Sequence, residues 1–233
     1  MTQQPVPRST VTAATEPTHR PAFQALWCAT DLGPHRPCGG TYEWYDPEAL
    51  PPLDPARFDG GFGWLGGTGP VVPEIAGHLD AVAAKLAGAG MVLPADFTAF
   101  QTGADSHRAL DAVSATACWT DVSSPIPSPV EPGAFLVRFL RDQQDCVHWY
   151  LYLRPSGEAF VVASPLDLAE APGRDEPGVP VDWFGAIARC ASSFEEFAYR
   201  FWVENRLWCA LHGYGEESMD DELAGYLAHY ERA

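Results

Sequence analysis

Cys28, His35 and Cys38 are the first residues along the chain whose side chains could do chemistry together, because two thiolates and an imidazole can supply three of the four ligands of a zinc ion. Structural zinc sites use tighter pairs such as CxxC. None occurs among Cys28, Cys38, Cys118, Cys146, Cys190 and Cys209, so six reduced thiols and no metal are expected. Gly61-Phe62-Gly63-Trp64-Leu65-Gly66 matches GxGxxG, the loop that cradles a dinucleotide pyrophosphate. That chemistry needs an apolar strand before the loop and a helix opening within it. Here Pro51-Pro52-Leu53-Asp54-Pro55-Ala56-Arg57 precedes it, so a turn-rich loop and no cofactor are expected. Asp105-Ser106-His107 is too local for a triad, whose members a fold brings together from separate elements. His148 lies in a strand and His212 at a helix end, where hydrogen-bonded structural histidines are common. Asp46, Asp142 and Asp145 lie in turns, where carboxylates cap backbone amides. No GxxxxGK[ST], GxSxG or HExxH occurs. The expectation is a protein without chemistry of its own.

The elements that would position these residues centre on 134–164. Three apolar runs, Ala134–Leu140, Cys146–Leu153 and Ala159–Ala163, are rich in β-branched and aromatic residues and separated by short polar turns. Links that short make antiparallel neighbours, since a parallel return needs a dozen or more residues. In the middle run Val147, Trp149, Leu151 and Leu153 share one face, and His148, Tyr150 and Tyr152 the other. The first reads as a core face, the second as one half covered by other elements or by a partner. A helix is predicted at Pro73–Ala87, opened by proline and stopped by Gly88 or Gly90, and a short one from Pro94 that presents Phe97 and Phe100. Ala115–Val122 reads as a strand. Ser192 and Glu195 have capping-box spacing ahead of a long helix carrying Phe194, Phe197, Phe201 and Trp202, ended by Gly213. Ser218 followed by acids opens a terminal helix with Leu223, Tyr226, Leu227 and Tyr230 on one side.

The 233 residues carry a net charge of −17 with 46% hydrophobic and 12% aromatic side chains. Residues 131–233 hold 18 acidic and 8 basic side chains and residues 1–130 hold 13 and 6, so the acidity is spread along the chain. Such a field repels nucleic acid and anionic membranes and attracts basic proteins. No apolar run approaches the roughly 18 residues of a membrane helix. The N-terminus lacks the apolar core of a secretory signal, so a cytoplasmic location is expected. Residues 1–22 read as a disordered tail, 23–72 as a Gly/Pro/aromatic-rich extension packed on the main domain, and 73–233 as that domain.

The order of these elements resembles the SUKH superfamily. Leu93-Pro94-x-Asp96-Phe97-x-x-Phe100 is similar to the family's "LPxDF/Y" opening helix, and Ser193-Phe194-Glu195-Glu196-Phe197 to its closing "SFxxF" helix. The match spans about 73–210, with Gln101-Thr102-Gly103 only partly similar to the family's "NGG"-like turn and with 23–70 unmatched. The resemblance implies an α+β fold, a mainly antiparallel sheet flanked by helices. It also implies an immunity protein that neutralises a cognate bacterial toxin of nuclease or deaminase class by binding it. The expected partner is therefore a basic toxin domain, met at Asp142 and Asp145 with Trp149, Tyr150 and Tyr152 as aromatic anchors. The competing functions are a regulatory or scaffolding partner and a hydrolase with carboxylates gathered from separate loops.

Overall fold

A seven-stranded sheet divides the molecule. The structure, a computed structural model, describes residues 22–169 and 182–231. Nearly all of the expected N-terminal tail, and most of the Leu166–Pro180 connection, lie outside these residues. The strands are β1 (Gln24–Ala25), β4 (Trp119–Thr120), β5 (Ile126–Pro127), β6 (Phe135–Arg141), β7 (His148–Leu153), β8 (Ala159–Ser164) and β9 (Ala188–Ala191). Their order is β1-β9-β8-β7-β6-β4, with β5 on the free part of β6; only β1 and β9 run parallel. β2 (Trp27–Ala29) and β3 (Glu43–Tyr45) form a separate antiparallel ribbon. The helices are α1 (Pro73–Ala87), α2 (Ala95–Thr102), α3 (Ala109–Val113), α4 (Phe194–His212) and α5 (Asp221–Leu227). The chain is α+β, with a mixed, mainly antiparallel sheet.

The predicted alternation in β7 holds: Trp149, Leu151 and Leu153 join the core beneath the helices, and Tyr150 and Tyr152 a second core on the opposite face. A bulge between Arg138 and Leu140 turns both Phe139 and Leu140 into the helical core. There Phe139 meets Phe194 edge-on at 5.1 Å and Phe197 at 5.2 Å, while Phe201 meets Trp149 at 5.8 Å. The stripe of α4 therefore lies on the sheet as expected.

Three boundaries differ from expectation. The strand expected at 115–122 shrinks to Trp119–Thr120, because its first half turns instead: Ala117 sits at φ 55° with its N–H on the Ser114 carbonyl, and Ser114 Oγ accepts the Cys118 N–H. The cap of α4 is Ser193, whose Oγ accepts the Glu196 N–H at 3.1 Å, while the Glu196 carboxylate reaches back to the Ser192 N–H at 2.9 Å. The capping pair thus sits one residue later than Ser192 and Glu195. Asp220, not Ser218, caps α5.

Residues 23–72 contribute to the cores directly. Trp27, Cys28, Leu50 and Phe62 belong to the helical core, and Leu32 packs between α4 and α5. Two buried carboxylates of α4 bind this segment. Glu195 accepts the Gly60 and Phe62 N–H groups at 2.6 and 2.8 Å and the Trp64 indole at 3.2 Å. Phe62 has φ 52°, a left-handed conformation costing about 1–2 kcal/mol, which its full burial against Phe100 and Phe194 offsets. Glu204 accepts from Trp27 Nε1 (2.7 Å), from both Nη atoms of Arg36 (2.8 and 3.0 Å) and from the Tyr226 hydroxyl (2.6 Å). Asp96 holds two helix starts at once, accepting from the Phe97 N–H at 2.7 Å and the Glu195 N–H at 3.1 Å.

Candidate functional site

The aromatic patch expected on β7 is not at the surface. Trp149, Tyr150 and Tyr152 are at most 1% exposed, and so corrected they are core residues. Trp149 lies among Tyr42, Phe197 and Phe201. The face carrying Tyr150 and Tyr152 is covered by Phe23, Ile126, Val130, Leu168, Trp183 and Ile187, from irregular segments that no periodicity announces. Both hydroxyls are committed: Tyr150 Oη accepts the Leu168 N–H at 2.9 Å, and Tyr152 Oη bonds Ser128 at 2.7 Å and Glu131 at 3.2 Å. Asp142 is also buried; its carboxylate accepts from the Tyr42 hydroxyl and from the Gln144 amide, so it organises its own turn. Only Asp145 reaches solvent, at φ 56°, bonded to Arg141 at 2.9 Å. Beside it Arg141 stacks 4.7 Å over the half-exposed ring of Trp119.

The other candidates have local structural partners. Cys28 is buried in β2, where burial pushes its thiol pKa well up, and Cys38 Sγ contacts the Gly40 carbonyl at 3.0 Å. Among the described residues no group of three or more His, Cys, Asp or Glu is placed to hold a metal ion, so Cys28, His35 and Cys38 are not brought together as one. The Ser106 hydroxyl donates to the Phe100 carbonyl at 2.6 Å, and His107 Nδ1 lies 2.9 Å from the Gly103 carbonyl; both close the turn after α2. Amide groups of the 60–62 loop do point at an anion, as a phosphate loop's would, but that anion is the chain's own Glu195.

A groove of about 440 Å3 opens elsewhere, between the 51–57 loop and α5. Asp54 and Pro55 start a single 3-10 turn at Pro55–Arg57, the Asp54 carboxylate accepting the Ala56 N–H. Pro51, Pro52 and Leu53 form one wall, Asp221, Glu222, Gly225 and His229 the other, and Tyr199 and Tyr226 line it between them. Buried Arg200 braces both sides from below, donating to the Pro51 carbonyl at 3.1 Å and the Tyr226 hydroxyl at 2.8 Å. Arg57 lies 4.5 Å over the Tyr199 ring and donates to its hydroxyl at 2.9 Å and to Glu222 at 2.8 Å. The Tyr199 hydroxyl in turn donates to Glu222 at 3.0 Å, and burial pushes its pKa up to about 12, so it stays protonated at neutral pH. Asp54, Asp221 and Glu222 thus line the groove with the guanidinium of Arg57, and that of Arg200 lies buried beneath, so negative charge is in excess at the opening. The sequence reading missed this site because its walls come from opposite ends of the chain. The only local hint was Gly225, a glycine inside an otherwise ordinary helix.

No protein-family model matches this chain, and neither does any curated protein or solved structure. No helix among the described residues is long and apolar enough to cross a membrane.

Proposed function

We propose that this protein is a non-catalytic binding domain that captures a basic protein, and that it serves as an immunity protein against a bacterial toxin domain of nuclease or deaminase class. The observation that carries the reading is the braced, acid-walled groove with tyrosines between its walls, on a chain of net charge −17. Tyrosine-lined grooves rimmed by charge suit protein recognition, and a negative field speeds encounter with a positive partner while disfavouring nucleic acid. The order α1, Leu93–Phe100 helix, antiparallel strands and Ser193-capped helix supports a SUKH-like assignment, from which the toxin class follows by analogy. In that role the protein acts in the cytosol and needs no cofactor.

Protection tests it. Any toxin domain encoded beside this gene is expressed in cells with and without this chain. Rescue of growth, with co-purification of the two chains in one-to-one ratio, is the expected result. Rescue without a complex points to a hydrolase that destroys the toxin or its product. A complex without any toxicity to relieve points to a regulatory or scaffolding role.

A further inference from the structure

We propose that the groove between the 51–57 loop and α5 receives an arginine side chain of the basic partner, seated against tyrosine and carboxylate. This inference rests on the reading of the chain as a binder of a basic protein, and it names the chemistry of one contact in that complex.

The groove already holds a guanidinium along one edge. Arg57 stacks on Tyr199 and bonds Glu222, an arrangement suited to a flat, weakly hydrated, forked cation rather than to a compact ammonium. Arg57 leaves charge unspent. Asp221, the neighbour of Glu222 on α5, makes no hydrogen bond or ion pair with another described residue, and Asp54 faces it across the opening. A second cation entering there meets two carboxylates and the small exposed part of Tyr226. The volume falls inside the roughly 300–1,000 Å3 of small-ligand pockets, so a long side chain fits beside Arg57. Gly225 keeps the opening clear. A Cβ built there meets nothing within 4 Å and the residue lies inside α5, so neither packing nor backbone geometry requires a glycine that helices disfavour. The bracing by Arg200 means that the two walls are set before a partner arrives.

The test titrates the full chain with the capped tripeptide Gly-Arg-Gly and its lysine and citrulline counterparts, followed by amide NMR at physiological salt. The arginine peptide should shift the amides of 53–57 and 221–229. The lysine peptide should bind about three- to fivefold more weakly, and the neutral citrulline peptide should not bind. Asp221→Asn should weaken the arginine peptide. Gly225→Arg, which puts a guanidinium into the groove from α5 itself, should abolish binding without lowering the melting temperature. Equal binding of all three peptides, shifts elsewhere, or undiminished binding in Gly225→Arg overturns the assignment. If the arginine peptide seats in the groove yet no basic protein binds the chain, the groove stands and the protein-binding reading falls. If a basic protein binds the wild type and Gly225→Arg equally, the groove assignment falls and the wider reading stands.

Discussion

Replacing Arg36 by methionine should cost about 3–5 kcal/mol, the loss expected when one partner of a buried ion pair is removed. Arg36 and Glu204 have side-chain exposures of only 5% and 4%, and their guanidinium and carboxylate meet through two bonds of 2.8 and 3.0 Å. Glu204 would keep two of its four donors, Trp27 and Tyr226, on a side chain that is only 4% exposed. Two lost bonds to a charged group, at about 1.5–3 kcal/mol each, give the same range. The pH dependence is a separate check. Burial alone drives the Glu204 carboxyl upward, and the Arg36 charge reverses this to hold it below its ordinary value. In the wild type the stabilisation from Glu204 is therefore present above the unfolded pKa of about 4.3 and lost as pH falls through the folded one. Without Arg36 the folded pKa rises, with Arg200 and the Tyr226 hydroxyl left to oppose burial, so the variant's deficit should shrink as pH falls. Urea unfolding followed by tryptophan fluorescence reads both quantities. Adding Glu204→Leu should recover part of the loss, because the stranded charge is gone. A cost below about 1 kcal/mol, or a double variant as poor as the sum of the singles, would refute the account of Glu204 as the fastener between 27–36, α4 and α5.

Phe197→Ala should destabilise by about 3–5 kcal/mol in the same assay, since the ring is fully buried against Phe139 and Trp149. Glu195→Gln should cost about 1–3 kcal/mol, and hydrogen exchange should speed at the Gly60 and Phe62 amides before it does in β7. His148 is buried at the start of β7, near Asp145, Asp167 and Arg138, and burial lowers its pKa. The unfolded chain then takes up a proton first, so the stability of the neutral form is present above about pH 6.5 and lost as pH falls toward the folded pKa. His148→Gln should flatten that part of the stability–pH curve, and an unchanged slope would exclude His148 as its source.

Local chemistry made some elements legible. Pro73 suits the first turn of α1, and of the two glycines offered as its stop it is Gly90, at φ 75°, that turns the chain out, while Gly88 keeps helical geometry. Alternation in β7 told which side chains share a face, since the pleat dictates it. What alternation cannot tell is whether the second face is covered, because its cover comes from irregular segments around Ile126, Leu168 and Ile187. Tyr150 and Tyr152 looked like partner anchors for that reason. At the start of α4 two serines each precede a glutamate by three residues, so spacing alone was ambiguous. Tertiary contacts decide between them: Asp96 takes the Glu195 N–H, and the Glu195 side chain is drawn inward to the 60–64 loop. The groove was the least legible feature, since Arg57 and Glu222 lie 165 positions apart and no spacing rule links them.

The most direct measurement is the association rate of the purified chain with the proposed basic toxin domain, sought among the products of genes beside its own, at low and at physiological salt. Screening over about 8–10 Å should slow association as salt rises, with less effect on dissociation. Asp54→Asn with Asp221→Asn should lower the on-rate further and leave the melting temperature nearly unchanged, because both residues are exposed. No binding at micromolar concentration, a rate indifferent to salt, or turnover of a substrate that one carboxylate substitution removes would contradict the account.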